Sequence, residues 1–192
     1  MRKYVLSVIF CALCMLATAA GAATIVAPGY PQEEILPPGS TGVFPVCVGG
    51  LTNAEGVTFN LTFDNTLLSV EDVSANSAIP GSRIYATNID NETGLVQVVV
   101  INEEGITVGD IWPLTPIVDI TFRSIGNGGE STIGFVGTPT YSQDFEPPYF
   151  DQIYNGSIAV RNPSTIRAPA GTLSSGQPGT FAVGVDNVTG AT

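Results

Sequence analysis

The stretch from Phe59 to Val73, FNLTFDNTLLSVEDV, alternates apolar and polar residues, breaks at a polar triplet, and alternates again. Phe59, Leu61 and Phe63 fall on one side of such a chain, and Asn60, Thr62 and Asp64 on the other. A period of two belongs to a half-buried strand, so two strands joined by a tight polar connection are predicted. No window from residue 23 onward keeps a helical period, because glycine and proline interrupt too often. Strands are expected at 24–28, 42–48, 56–63, 67–74, 82–88, 94–102, 116–123, 131–136 and 155–161. Polar turns at Asp90-Asn91-Glu92-Thr93-Gly94 and Gly126-Asn127-Gly128-Gly129 divide neighbours among them. LVQVVVI at 95–101 is apolar almost throughout, which predicts a central strand covered on both faces. Nine short strands separated by turns predict an all-β fold, a sandwich or jelly roll.

The first 22 residues stand apart from this pattern. Arg2 and Lys3 precede an apolar run from Val5 to Leu16 that is too short to cross a bilayer, and Ala20-Gly21-Ala22 follows with the small residues of a cleavage site. Residues 1–22 are therefore expected to be a signal peptide, and the remainder to be secreted, extracellular or at the cell surface, with no membrane insertion after cleavage. Loss of Arg2 and Lys3 takes the net charge from −11 to about −13, with four arginines facing 17 acidic residues. That balance argues against nucleic acid and anionic lipid as partners, since phosphate contacts need Lys and Arg. Cys47 alone remains after the leader, so no internal disulfide is expected; its alternating surroundings make it a buried or half-buried small apolar residue.

Much chemistry is excluded by composition. Histidine is absent, which removes Ser-His-Asp and Cys-His triads and histidine-bound metals. No phosphate-cradling or dinucleotide glycine motif occurs. Two-carboxylate glycoside hydrolysis needs a deep cleft, which one small sandwich with short loops rarely makes. No catalytic residue, resident metal or cofactor is expected. Asp90, Asn91 and Glu92 crowd one turn and Asp144, Glu146 and Asp151 share one loop, but neither follows a calcium-loop spacing, and exposed acidic turns are more often simply solvated.

The connection at 138–155, TPTYSQDFEPPYFDQIYN, reads in two ways. Its aromatics can tuck over the end of the sandwich as a small local core. Alternatively Tyr141, Tyr149 and Phe150, joined by Tyr85 and Trp112, can stack on sugar rings. Four glycosylation sequons begin at Asn60, Asn91, Asn155 and Asn187, although chains rich in Thr, Ser and Asn form such triplets by chance.

The C-terminal end repeats the N-terminal one. STIRAP at 164–169 matches ATIVAP at 23–28. With a gap, PGTFAVGVDNVT at 178–189 matches PGSTGVFPVCVGGLT at 38–52, placing Phe181 on Phe44, Val183 on Val46 and Val185 on Val48. Repetition at domain length marks a tandem array. Residues 23–162 are expected to form one module and 163–192 the start of a second, truncated repeat, the chain being a fragment of a longer one.

An export signal, an apolar strand, a Pro-Gly turn, a second apolar strand, then GLTNAEG, an alternating strand ending in Phe63-Asp64-Asn65, Leu67-Leu68, ITFRSIGNG at 120–128 and a closing NGSIAV form a recognisable succession. Over roughly 23–161 it resembles the cohesin family, the modules of cellulosome scaffoldins that hold dockerins, and it is similar too to jelly-roll carbohydrate-binding modules. The resemblance implies a nine-stranded flattened jelly roll whose function is non-catalytic recognition of a dockerin-containing secreted or surface protein, for extracellular assembly in polysaccharide degradation. Calcium would enter chiefly through that partner. It also implies a docking face on one sheet, here Thr58, Asn60 and Thr62 with Gln97, Asn102 and Glu103. The family often places an acidic residue near the position of Thr58, a departure that bears on specificity, and a glycan on Asn60 would obstruct the same face. Carbohydrate binding, cell-surface adhesion and a spacer role are the alternatives on the same fold, because function depends on the site and not the sandwich.

Overall fold

The computed structural model describes residues 22–109, 113–143 and 148–162, with the backbone of 165–167 and 184–186. Residues 1–21 of the expected leader, Trp112, Asp144, Glu146 and Asn187 lie outside the described residues.

Twelve strands make up the body. They are β1 (Thr24–Val26), β2 (Glu34–Leu36), β3 (Thr41–Gly49), β4 (Leu51–Thr62), β5 (Leu68–Ala75) and β6 (Arg83–Asp90), then β7 (Leu95–Val108), β8 (Thr115–Ser124), β9 (Gly129–Phe135), β10 (Thr140–Ser142), β11 (Gln152–Tyr154) and β12 (Gly156–Val160). One sheet has the order β11-β1-β3-β8-β5, the other β2-β12-β9-β4-β7-β6 with β10 added to β4. All pairings are antiparallel except β1 with β11 and β2 with β12. Two further short strands, β13 (Thr165–Arg167) and β14 (Gly184–Asp186), pair with each other.

The fold is the all-β jelly-roll sandwich that the strand periodicity predicts. Each of the nine expected strands coincides with one of the longer elements or with β1 or β12. The count is larger because β2, β10 and β11 are three-residue strands, too short to show an alternation. Period-two side chains meet between the sheets. Phe44, Val46, Val48, Val118, Ile120 and Phe122 come from one sheet and Phe59, Leu61, Val96, Val98, Val100 and Ile133 from the other, all buried. Phe122 lies edge-on to Phe63 with ring centroids 5.7 Å apart and 6.2 Å from Phe44, so one ring cluster links the layers.

The break in the opening stretch is the crossing between layers. The Asp64 carboxylate accepts from the Thr66 amide at 2.8 Å and the Thr66 hydroxyl at 2.6 Å, while the Leu67 and Leu68 amides donate to the Asp64 carbonyl. This aspartate turn takes the chain from β4 in one sheet to β5 in the other. One expectation is corrected here. The β7 strand is central in its sheet but covered on one face only: Val96, Val98 and Val100 point into the core, while Val99 and Ile101 point outward and are half-buried. Its near-continuous apolar run therefore leaves an apolar stripe on the outside. Among the described residues no helix is long and apolar enough to cross a membrane.

Candidate functional site

The outer face of β4, β7 and β6 is built by register. Asn60 sits opposite Gln97, and Gln97 opposite Asn88; one step along, Thr58 faces Val99 and Val99 faces Ala86. Because alternate residues point to the same side, these six side chains share the surface away from the core. They line a shallow depression of about 300 Å³. Thr58 and Gln97 are exposed, and Asn60 is half-buried. The Asn88 amide donates to Gln97 Oε1 at 3.4 Å, a long contact that leaves donors and acceptors of both amides for a ligand. On the far side of β4, Thr140 of β10 pairs with Thr58 and widens the face.

The centre of this face carries no charge. The half-buried Val99 and Ile101 give it apolar area, and the Thr, Asn and Gln side chains around them supply directional hydrogen bonds. Charge gathers at one end, where Arg83 pairs with Glu103 on the surface. Both side chains are so exposed that the pair contributes little to stability. Arg123 and Arg161 are likewise held by Glu71 and Glu33.

The structure thus brings Thr58, Asn60 and Gln97 together. Thr62 continues the same face beside Leu95, half-buried, with its hydroxyl donating to the Gly134 carbonyl at 3.3 Å. Glu103 lies beyond, at the end of the face. Asn102 does not belong to it. Its side chain is 2 % exposed. Its amide nitrogen donates to the Pro80 carbonyl at 2.9 Å and to Ser82 Oγ at 3.1 Å, and its Oδ1 accepts from the Glu104 amide at 2.9 Å. The cause is parity: outward positions on β7 are odd-numbered from Gln97 on, so Asn102 turns inward and Glu103 outward. Asn88, Ala86 and Val99 were missed, although counting back from the Asp90–Gly94 hairpin places Asn88 opposite Gln97.

The aromatic platform is also corrected. Phe150 is buried and meets Tyr141 edge-on, with ring centroids 5.2 Å apart at 61°. Tyr141 packs against the main core, and Tyr149 is left exposed by itself. These rings are neither coplanar nor jointly accessible, and of the described residues Tyr141 and Phe150 follow the tucked arrangement.

The polar turns have structural employment. The Asp90 carboxylate accepts from the Glu92 and Thr93 amides and from the Thr93 hydroxyl at 2.7 Å. The hydroxyl bond is the main cause that holds its carboxyl below the ordinary range. Asp64 is lowered in the same way, first by the Thr66 hydroxyl. Among the described residues no three acidic or cysteine side chains gather where they could hold a metal ion. Both ends of the Asn91 amide engage the main chain of Val70, and Asn155 Oδ1 accepts from the Phe135 amide, whereas Asn60 stands on the open face. Cys47 is half-buried; desolvation, helped by the charge of Asp119, pushes its thiol up to about 11.

The body is a two-sheet sandwich whose outer face on β4, β7 and β6 is open and uncharged at its centre. The family model for the cohesin domain matches residues 32–160, and the chain belongs to that family. Solved structures agree in fold. The non-cellulosomal cohesin of the archaeon Archaeoglobus fulgidus is 18 % identical with a TM-score of 0.58, covering 74 % of this chain and 93 % of its own. The sixth cohesin of scaffoldin B from Acetivibrio cellulolyticus, solved with a Cel5 dockerin, is 21 % identical with a TM-score of 0.54, covering 73 % and 98 %. CaCohA2 from Clostridium acetobutylicum is 15 % identical with a TM-score of 0.58, covering 74 % and 92 %. No curated protein sequence matches the chain.

Proposed function

We propose that this chain is a non-catalytic docking module that holds a dockerin-type module of another exported protein on the outer face of β4, β7 and β6. The observation that carries the reading is the convergence of Thr58, Asn60 and Gln97 on one uncharged depression beside the outward Val99 and Ile101. A buried interface core favours such a surface, because it asks a partner to desolvate no fixed charge while apolar area and neutral hydrogen bonds are both on offer. The leader-like segment at 1–22 and the acidic, lysine-free remainder suit work outside the cell. No cofactor is needed by the module itself; calcium enters through the partner.

The test is a titration of the leader-less chain against a panel of calcium-loaded dockerins, each repeated after chelation, with cellulose and xylan in parallel. Saturable binding to one dockerin class that is lost on chelation is expected. Binding to polysaccharide alone would move the site off this face and refute the reading.

A further inference from the structure

Pairing at the C-terminal end carries a second conclusion. In the body of the fold, β1 pairs antiparallel with β3 through Thr24 with Gly49, Ile25 with Val48 and Val26 with Cys47. Near the end of the chain, β13 pairs antiparallel with β14 through Thr165 with Asp186, Ile166 with Val185 and Arg167 with Gly184. The sequence match of 164–169 to 23–28 places Thr165, Ile166 and Arg167 on Thr24, Ile25 and Val26. The separate match of 178–189 to 38–52 places Gly184, Val185 and Asp186 on Cys47, Val48 and Gly49. All three residue pairs therefore correspond. A slip of one residue would send every side chain to the opposite face, so agreement of register is a demanding coincidence between two unrelated comparisons.

We infer that residues 164 onward open a second module of the same fold, nucleated by the same pairing of first and third strands, and that the protein is a tandem array. Two strands bury too little to be stable alone, so β13 and β14 need the sheet neighbours that β1 and β3 have: β8 beside β3, and β11 beside β1. Two modules on one chain give two docking faces. A partner carrying two cognate modules would then gain avidity, its second contact being intramolecular. That consequence rests on the docking reading above; the existence of the second module does not.

Trypsin separates the two questions, because Arg161 and Arg167 place cleavage sites at the start of the repeat, and residues 23–192 otherwise offer Arg83 and Arg123. Arg167 lies in β13, where a folded second module would protect it. The full-length protein is digested under native conditions, and cleavage after Arg167 is compared with that in a synthetic peptide of residues 162–172. The expected result is cleavage at least tenfold slower in the protein, with a stable C-terminal fragment whose mass begins at or before residue 162. Cleavage at the peptide's rate, with no surviving C-terminal fragment, would overturn the inference whatever the dockerin titration shows.

Discussion

Replacing Asn102 by alanine separates what holds the fold from what serves the face. The buried amide makes three hydrogen bonds, to the Pro80 carbonyl, to Ser82 Oγ and from the Glu104 amide, at 2.9, 3.1 and 2.9 Å. They tie the turn at 79–82 to the middle of β7, and a Cβ at Gly81, whose φ is +78°, would lie 3.5 Å from the same carboxamide. Each such bond is worth about 0.5–1.5 kcal/mol net, and some of the freed main-chain groups regain water at this sheet end. The loss is therefore about 1–3 kcal/mol, which lowers Tm by roughly 3–10 °C in a domain of this size. Calorimetry of Asn102→Ala beside Gln97→Ala provides the measurement. Asn102→Ala is expected to melt lower while keeping its partner affinity within about twofold, and Gln97→Ala to melt unchanged. An unshifted Tm for Asn102→Ala would refute the reasoning, as would an affinity loss larger than that of Gln97→Ala.

The remaining predictions concern titration. Cys47 keeps its thiol neutral at pH 8, so 5,5′-dithiobis(2-nitrobenzoate) should react with the native chain at least tenfold more slowly than with the chain in denaturant. Because its folded value lies near 11 against an ordinary 9.0, the unfolded chain releases its proton first, and this contribution to stability is full below pH 9 and fades between pH 9 and 11. Asp64 and Asp90 run in the opposite sense: their lowered values mean that stability is held above about pH 4 and lost as pH falls below it. A carboxyl carbon titration by NMR should show Asp90 moving up toward the ordinary range in Thr93→Val, and no movement would remove the hydroxyl bond as the cause.

The sandwich was legible because its long strands alternate over seven or more residues, as from Val57 to Phe63, and because Asp64 and Asp90 mark turns that their own side chains close. What stayed hidden has physical causes. The strands β2, β10 and β11 are three residues long and owe their pairing to neighbours far away in the chain, such as Tyr141 against Val57. The apolar run of β7 looked two-sided because composition cannot say that Val99 and Ile101 face a surface kept for something else. Asn102 was assigned to the face through the family resemblance, where the parity of the strand sends it inward. Phe150 looked available for stacking because a loop's own packing, here against Tyr141, leaves no period in the sequence.

The measurement that bears most directly on the docking face is the affinity of Gln97→Arg for the dockerin class that the native chain selects. The substitution places a cation in the middle of an uncharged depression, on an exposed position that bears no part of the core. A desolvated, unpaired charge in an interface costs several kcal/mol, so at least a tenfold loss of affinity is expected, with Tm unchanged. Native affinity in Gln97→Arg, with binding abolished instead by Tyr149→Ala on the connection at 138–155, would contradict the account.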